Sequence, residues 1–245
     1  MDTELFIWKG EQLLLFERFQ GPEIIDIFTD ASMWDQKNKS GCYGFITMYQ
    51  GKEINSGVFI DNSTTSNRAE IKGVKMGIHE AIRLRRSGYT GIINLFSDSQ
   101  ISIFGIRDYI FNWYNNGLVL INKSGDEVKN QSEFIEIMTL IVQNNLAINF
   151  FHQKGHVNLD GSSLSKAKYT FVKSNLSSNT KIENISTDFI KYISSCNGEI
   201  DNRTRWHLKR QADLDNMSYR DAFKMVPTSD YDMYLRSYYN LLNLR

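Results

Sequence analysis

CYGFITMYQGKEINSGVFI, residues 42–60, carries two apolar, aromatic and β-branched runs on either side of Gly51-Lys52. Such runs, joined by a tight glycine turn, read as two antiparallel strands, 42–50 and 53–60. Upstream, Ile24 to Thr29 follows the breaker Gln20-Gly21-Pro22 and reads as a strand of its own, completing a three-stranded meander. Downstream, the period changes. Ile71, Val74, Ile78, Ala81 and Ile82 recur at helical spacing over 68–86, and Gly88 stops that helix. GIINLFS, 91–97, is a fourth strand, and 99–114 is a second helix ended by Asn115-Asn116-Gly117. A third helix follows over 131–145, with Phe134, Ile135, Met138, Ile141 and Val142 on its apolar face. AINFFH, 147–152, is a fifth strand. The order β-β-β-α-β-α-α-β predicts an α/β fold: a mixed sheet with helices packed on it.

After Gly155 the pattern loosens. Residues 157–196 are rich in Ser and Asn, with a short helix expected at 164–174. Helices are expected again near 199–212, 217–225 and 231–243. The last carries Tyr231, Tyr234, Tyr238 and Tyr239 among leucines. It could be a partner surface or a base-stacking platform, but aromatic stripes at helical spacing more often cap a core.

Composition narrows the class. The 245 residues hold 28 Lys+Arg against 28 Asp+Glu, so the formal net charge is zero. That argues against a protein that coats nucleic acid by net positive charge, though not against a local basic face. No apolar run approaches the ~20 residues that span a bilayer. The first residues lack a basic n-region, and Lys9 and Glu11 interrupt their apolar stretch, so no signal peptide is expected. Cys42 and Cys196 fit no CxxC pattern and read as free thiols in a reducing compartment. The expectation is a cytoplasmic protein that does not enter a membrane.

Three carboxylates fall at the ends of these elements. Asp30 ends the first strand, Glu70 begins the first helix and Asp98 ends the fourth strand. The C-terminal ends of parallel strands border the usual ligand crevice of α/β sheets, so these acids can converge there. Converging carboxylates raise one another's pKa unless a cation compensates, and hard oxygen ligands favour Mg²⁺ or Mn²⁺. Taken singly, each acid could equally be a cap or a turn residue. Asp26 shares the strand face of Asp30 but lies mid-strand, and reads as structural or exposed.

The words around these acids, FTDAS, TTSNRAE and SDSQISIFGIRDYIFNWYNNG, followed by EVKNQSEF and QKGH, resemble ribonuclease H of type 1 in order and rough spacing. The resemblance implies a ribonuclease H-like five-stranded mixed sheet flanked by helices, with an insertion before the last core helix and a helical C-terminal tail. It implies cleavage of the RNA strand of RNA–DNA hybrids. Asp30, Glu70 and Asp98 match the family's first three metal-binding carboxylates. His156 matches its mobile-loop histidine, thought to assist proton transfer or product release. Thr65 and Asn130 match residues that hold a DNA-strand phosphate, and Asn67 and Gln100 match minor-groove contacts. Trp113 matches an aromatic of the helix leading into the basic protrusion. His152 has no family counterpart.

The fourth carboxylate departs from the familiar pattern. NGEIDNRTR offers Asn197 and Asp201 at the family's internal spacing, which makes 157–196 an insertion within a catalytic domain of 23–212. Residues 1–22 and 213–245 are then extensions. Asp160, the only acid just after His156, is the main rival, and Asp188 in NISTD ranks third.

With four carboxylates the resemblance implies hydrolysis assisted by two Mg²⁺ ions, with Mn²⁺ as the alternative. The protrusion segment keeps its length but loses its charge: Lys123 and Lys129 are offset by Asp126 and Glu127. Hybrid binding through this segment should therefore be weaker and less salt-sensitive. Arg203, Arg205, Lys209 and Arg210 could compensate, or be a solvated helix face. Two other readings stand beside the enzyme: a non-catalytic hybrid-binding or assembly module on the same fold, and a related two-metal DNA nuclease.

Overall fold

Strand β1, Ile24–Asp35, is apolar toward both sides because it lies in the middle of a sheet covered on both faces. The computed structural model describes residues 24–35, 40–62, 64–110, 113, 122, 124–159, 161–176 and 185–216. β1 pairs antiparallel with β2, Ser40–Tyr49, which pairs antiparallel with β3, Lys52–Asp61. On its other side β1 runs parallel to β4, Ile92–Ser97, and β4 parallel to β5, Asn149–His152. The sheet order is β3-β2-β1-β4-β5, the mixed sheet that the meander and the change of period predict.

The pleat sorts the core into two layers. Ile25 and Ile27 face helix α1, Ser66–Arg86, and helix α3, Gln131–Gln143, with Val74, Ile78, Phe134 and Ile137. Ile24 and Phe28 face the opposite layer, formed by helix α4, Gly161–Asn175, and helix α5, Thr187–Asn216. Phe28, Phe96 and Phe151 occupy one register across the three parallel strands. Their rings stack at 4.8 and 5.1 Å, and Phe151 stacks on Phe171 of α4 at 5.8 Å.

The same face buries Asp26, which accepts from Asn94 Nδ2 and Tyr192 Oη, each at 2.9 Å. Burial raises its pKa to about 6, against those two hydrogen bonds. Of the two readings of Asp26, structural and exposed, the first holds.

Between β4 and α3 the chain forms helix α2, Gln100–Phe104, then widens into a π turn, Gly105–Tyr109. This replaces the regular helix expected over 99–114. The widening begins where the backbone of Gly105 lies so close to the Phe134 ring that a Cβ would collide with it. Trp113 packs edge-on against the same ring at 5.2 Å.

The sheet edge at β5 is closed by a side chain. Asn175 of α4 accepts from the His152 amide at 2.8 Å and donates to the His152 carbonyl at 2.6 Å, replacing a neighbouring strand. Its Oδ1 also accepts from Arg107 Nη1 at 3.0 Å, and that buried guanidinium donates to Ser174 O at 2.7 Å. Enclosure by these groups lowers the pKa of His152 to about 4, with the Asp98 carbonyl opposing and Arg107 adding to the effect.

α4 covers the helix expected at 164–174 and is longer at both ends. α5 starts well before 199: it is one helix from Thr187, and the later expected helix is its second half. Ile190, Ile193, Cys196, Ile200 and Leu208 recur on its buried side, but buried Ser194, Asn197 and Thr204 interleave with them and mask the apolar period. Residues 1–22, the expected helices at 217–225 and 231–243, and Asp160 and Lys123 lie outside the described residues.

Candidate active site

β1 and β4 keep their parallel register up to Thr29 and Ser97, so the next residues, Asp30 and Asp98, stand at the same end of adjacent strands. Asp30 shares its face of β1 with Ile24, Asp26 and Phe28, the face on which α5 lies. Glu70 comes from α1, whose start is fixed by Thr65 as N-cap. That helix lies very close to the sheet. A Cβ at Gly77 would strike Leu95 and Thr29, and one at Gly73 would crowd the Asp30 carbonyl. The close approach sets Glu70, one turn before Gly73, beside Asp30. One carboxylate oxygen from each of Asp30, Glu70 and Asp98 lies within 4.8 Å of the others.

The electrostatics follow from that crowding. Burial, and then the Asp98 charge, raise the Asp30 pKa to about 8, although the Ala31 amide donates to Asp30 Oδ1 at 2.7 Å. Burial and the charges of Asp30, Asp98 and Asp201 push Glu70 well above the usual carboxylate range. Asp98 is also raised, chiefly by burial, with Asn197 and His156 opposing. Glu70 Oε2 is buried and has no hydrogen-bond partner among the described residues. The cluster has hard oxygen donors and too little positive charge, which fits a divalent cation.

Asp201 borders the same cavity of about 510 Å³ as these three acids. It stands at the middle of α5, with Oδ1 2.8 Å from Arg205 Nε and Oδ2 3.5 Å from His156 Nδ1. His156 is exposed on the loop after β5, with a left-handed backbone (φ 50°), and Arg205 Nη2 approaches its Nδ1 at 3.4 Å. Asp188 is placed elsewhere: it is exposed in the first turn of α5, 4.0 Å from Lys191.

The four residues expected to touch substrate all lie at helix N-termini. Thr65 caps α1 and Asn67 follows it, Gln100 is the first residue of α2, and Asn130 caps α3 with φ 59°. Arg68 Nε bonds Glu133 Oε1 at 3.0 Å, which ties the first turns of α1 and α3 together and brings the Thr65 and Asn130 ends near each other. In the first turns Arg68 N–H donates to Thr65 Oγ1 at 3.4 Å and Gln131 N–H to Val128 O at 3.2 Å.

Two contributors are not singled out for the site by the sequence reading. Arg205 and Lys209 line the cavity, although the sequence offers them only as general basic residues. Their i+4 and i+8 spacing from Asp201 on one helix face was the available signal. Asn197, read as the start of the Asp201 word, also has a direct contact, Nδ2 to Asp98 Oδ2 at 3.4 Å, and accepts from Gln153 Nε2 at 2.7 Å.

The RNase H family model matches residues 22–166. That span holds Asp30, Glu70, Asp98 and His156, and ends before Asp201. Ribonuclease HI of Haemophilus influenzae is 34% identical over 137 residues, which cover 55% of this chain and 80% of that protein. Ribonuclease HI of Pasteurella multocida is 34% identical over 134 residues, covering 54% and 78%. Among solved structures, the PFV RNase H domain aligns with 62% of this chain and 90% of its own length, at 19% identity and a TM-score of 0.44.

Proposed function

This chain belongs to the RNase H family of enzymes, and from that membership we propose that it hydrolyses the RNA strand of RNA–DNA hybrids at the Asp30–Glu70–Asp98 cluster. The observation that carries the reading is the meeting of three carboxylate oxygens within 4.8 Å at the ends of two parallel strands and a helix. Asp201, on the rim of the same cavity, is the fourth acid. The four would hold two divalent cations, Mg²⁺ or Mn²⁺. When bound, they would supply activation of an attacking water and stabilisation of the leaving 3′ oxygen.

The chain's own residues do the rest. His156, exposed beside Asp201, exchanges a proton with the departing product side. The N-terminal ends of α1 and α3 take a phosphate of the DNA strand through Thr65 and Asn130. Asn67 and Gln100 meet the wide minor groove, where 2′-hydroxyls mark the RNA strand. Residues 23–212 form the catalytic unit, with 157–196 as the added segment. Cytoplasmic residence is part of this reading, supported by two buried, free cysteines, Cys42 and Cys196. No helix among the described residues is long and apolar enough to cross a membrane.

The test is cleavage of a labelled RNA–DNA hybrid with Mg²⁺ or Mn²⁺. Wild type should cut the RNA strand, and Asp98→Asn should not. Absence of cleavage by pure wild type under both metals overturns the enzyme reading in favour of a hybrid-binding module. Full activity in Asp201→Asn overturns the assignment of the fourth carboxylate.

A further inference from the structure

The β4–β5 ladder ends with Ser97 opposite His152 and one more bond, Gln153 N–H to Ser97 O at 3.0 Å. One residue further along β4, the carbonyl oxygen of Asp98 meets the His152 ring, with Nε2 at 3.2 Å. A carbonyl carries no proton, so Nε2 supplies it. In the neutral ring Nδ1 is then the acceptor, and it faces Ser174 Oγ at 3.0 Å. Ser174 belongs to α4, and its neighbour Asn175 grips the backbone of His152 on both sides. The ring is 3% exposed and lies 5.4 Å from the Phe104 ring of α2. Every rotation of this imidazole is therefore blocked by packing or costs a hydrogen bond.

We propose that His152 is a positioning residue: through Ser174 Oγ, its ring and the Asp98 carbonyl, helix α4 sets the placement of the Asp98 carboxylate in the metal cluster. The inference rests on the metal-binding reading of that cluster. Asp98 lies past the last ladder pair of β4 and just before Ser99, the N-cap of α2. A turn of its peptide plane would swing the carboxylate away from Asp30 and Glu70. Asn197 touches the carboxylate itself, but at 3.4 Å, a long hydrogen bond. The shorter bond to the backbone is the one that fixes where the side chain starts. Partners of this kind, one step behind a ligand, typically change metal affinity by about 10–100-fold when removed.

The experiment measures Mn²⁺ binding to the full-length protein by the electron paramagnetic resonance of free Mn²⁺, without substrate, beside thermal melting. His152→Phe keeps a ring and loses the donor, and should weaken Mn²⁺ binding by about 10-fold or more. His152→Gln restores an N–H donor near the same position and should recover most of that loss. Ser174→Ala, a milder change at a partly exposed site, should weaken binding by a few-fold with little change in melting temperature. If His152→Phe fails to fold, Ser174→Ala and His152→Gln decide the matter. Wild-type affinity in Ser174→Ala and His152→Phe, or in Ser174→Ala alone where His152→Phe is unfolded, overturns the proposal. Equal losses in His152→Gln and His152→Phe also overturn it, since the donor would then be irrelevant. Wild type that binds no Mn²⁺ overturns the metal reading instead, and wild type that binds Mn²⁺ but cuts no hybrid overturns only the activity.

Discussion

Arg205 reaches back one turn of α5 to Asp201, its Nε 2.8 Å from Oδ1, and so places a permanent cation beside a cavity lined by four acids. Its charge also lowers the pKa of Asp30. More than half of the Arg205 side chain is exposed, so its contribution is screened and stays below about 1 kcal/mol. Arg205→Ala should lower the melting temperature in EDTA by no more than roughly 2–4 °C. Divalent cations supply the same compensation, so the difference should shrink when Mg²⁺ is added. Thermal melts with and without Mg²⁺ check this; a metal-independent difference contradicts it.

Gly155 lies against Asp98 so closely that an added Cβ would run into the carboxylate Oδ2. Gly155→Ala should displace Asp98 or the loop bearing His156 while leaving both core layers intact. A shift of about 1 Å at a reacting centre costs on the order of 100-fold in rate. Hybrid cleavage should fall by that order, with the far-ultraviolet circular dichroism unchanged. Wild-type turnover would show that the loop yields without moving the acid.

Asp26 links pH to stability. Its pKa rises from 3.8 to about 6 on folding, so the folded state holds the proton more tightly than the unfolded chain. That contribution is full below pH 3.8 and is lost as pH rises through about 6. Two units correspond to about 3 kcal/mol. Asp26→Asn keeps an acceptor for Asn94 and offers a donor to Tyr192, and should flatten this part of the stability profile. Urea unfolding at pH 4 and pH 7, wild type against variant, measures it. Equal slopes in the two proteins would place the dependence elsewhere.

Asn175 holds four buried partners at once: both backbone groups of His152, the Phe171 carbonyl and the Arg107 guanidinium. Asn175→Ala strands the His152 amide and carbonyl away from water. The cost should be about 2–4 kcal/mol, read from the urea midpoint at unchanged m-value. A loss below 1 kcal/mol would mean that water enters and replaces the amide.

The sheet and three acids were legible because both kinds of signal are local. A strand announces itself by its own apolar run, and Asp30, Glu70 and Asp98 sit inside short words at element ends. What stayed hidden depends on partners distant in sequence. The burial of Asp26 rests on Asn94 and Tyr192, 68 and 166 residues away. The first half of α5 was hidden by Ser194 and Asn197, polar residues on a buried face.

α5 has a consequence beyond placing one acid. Thirty residues of helix extend about 45 Å, with Asp201 at the centre. Its apolar side, from Phe189 to Leu208, shares one face of the sheet with α4. Fraying at either end leaves Asp201 in place, and only cooperative detachment of the rod would remove it. Detachment would also uncover Phe28 and Phe96. The fourth acid is thus withdrawn only when that hydrophobic layer opens, so a partly melted molecule carries no intermediate version of the four-acid site.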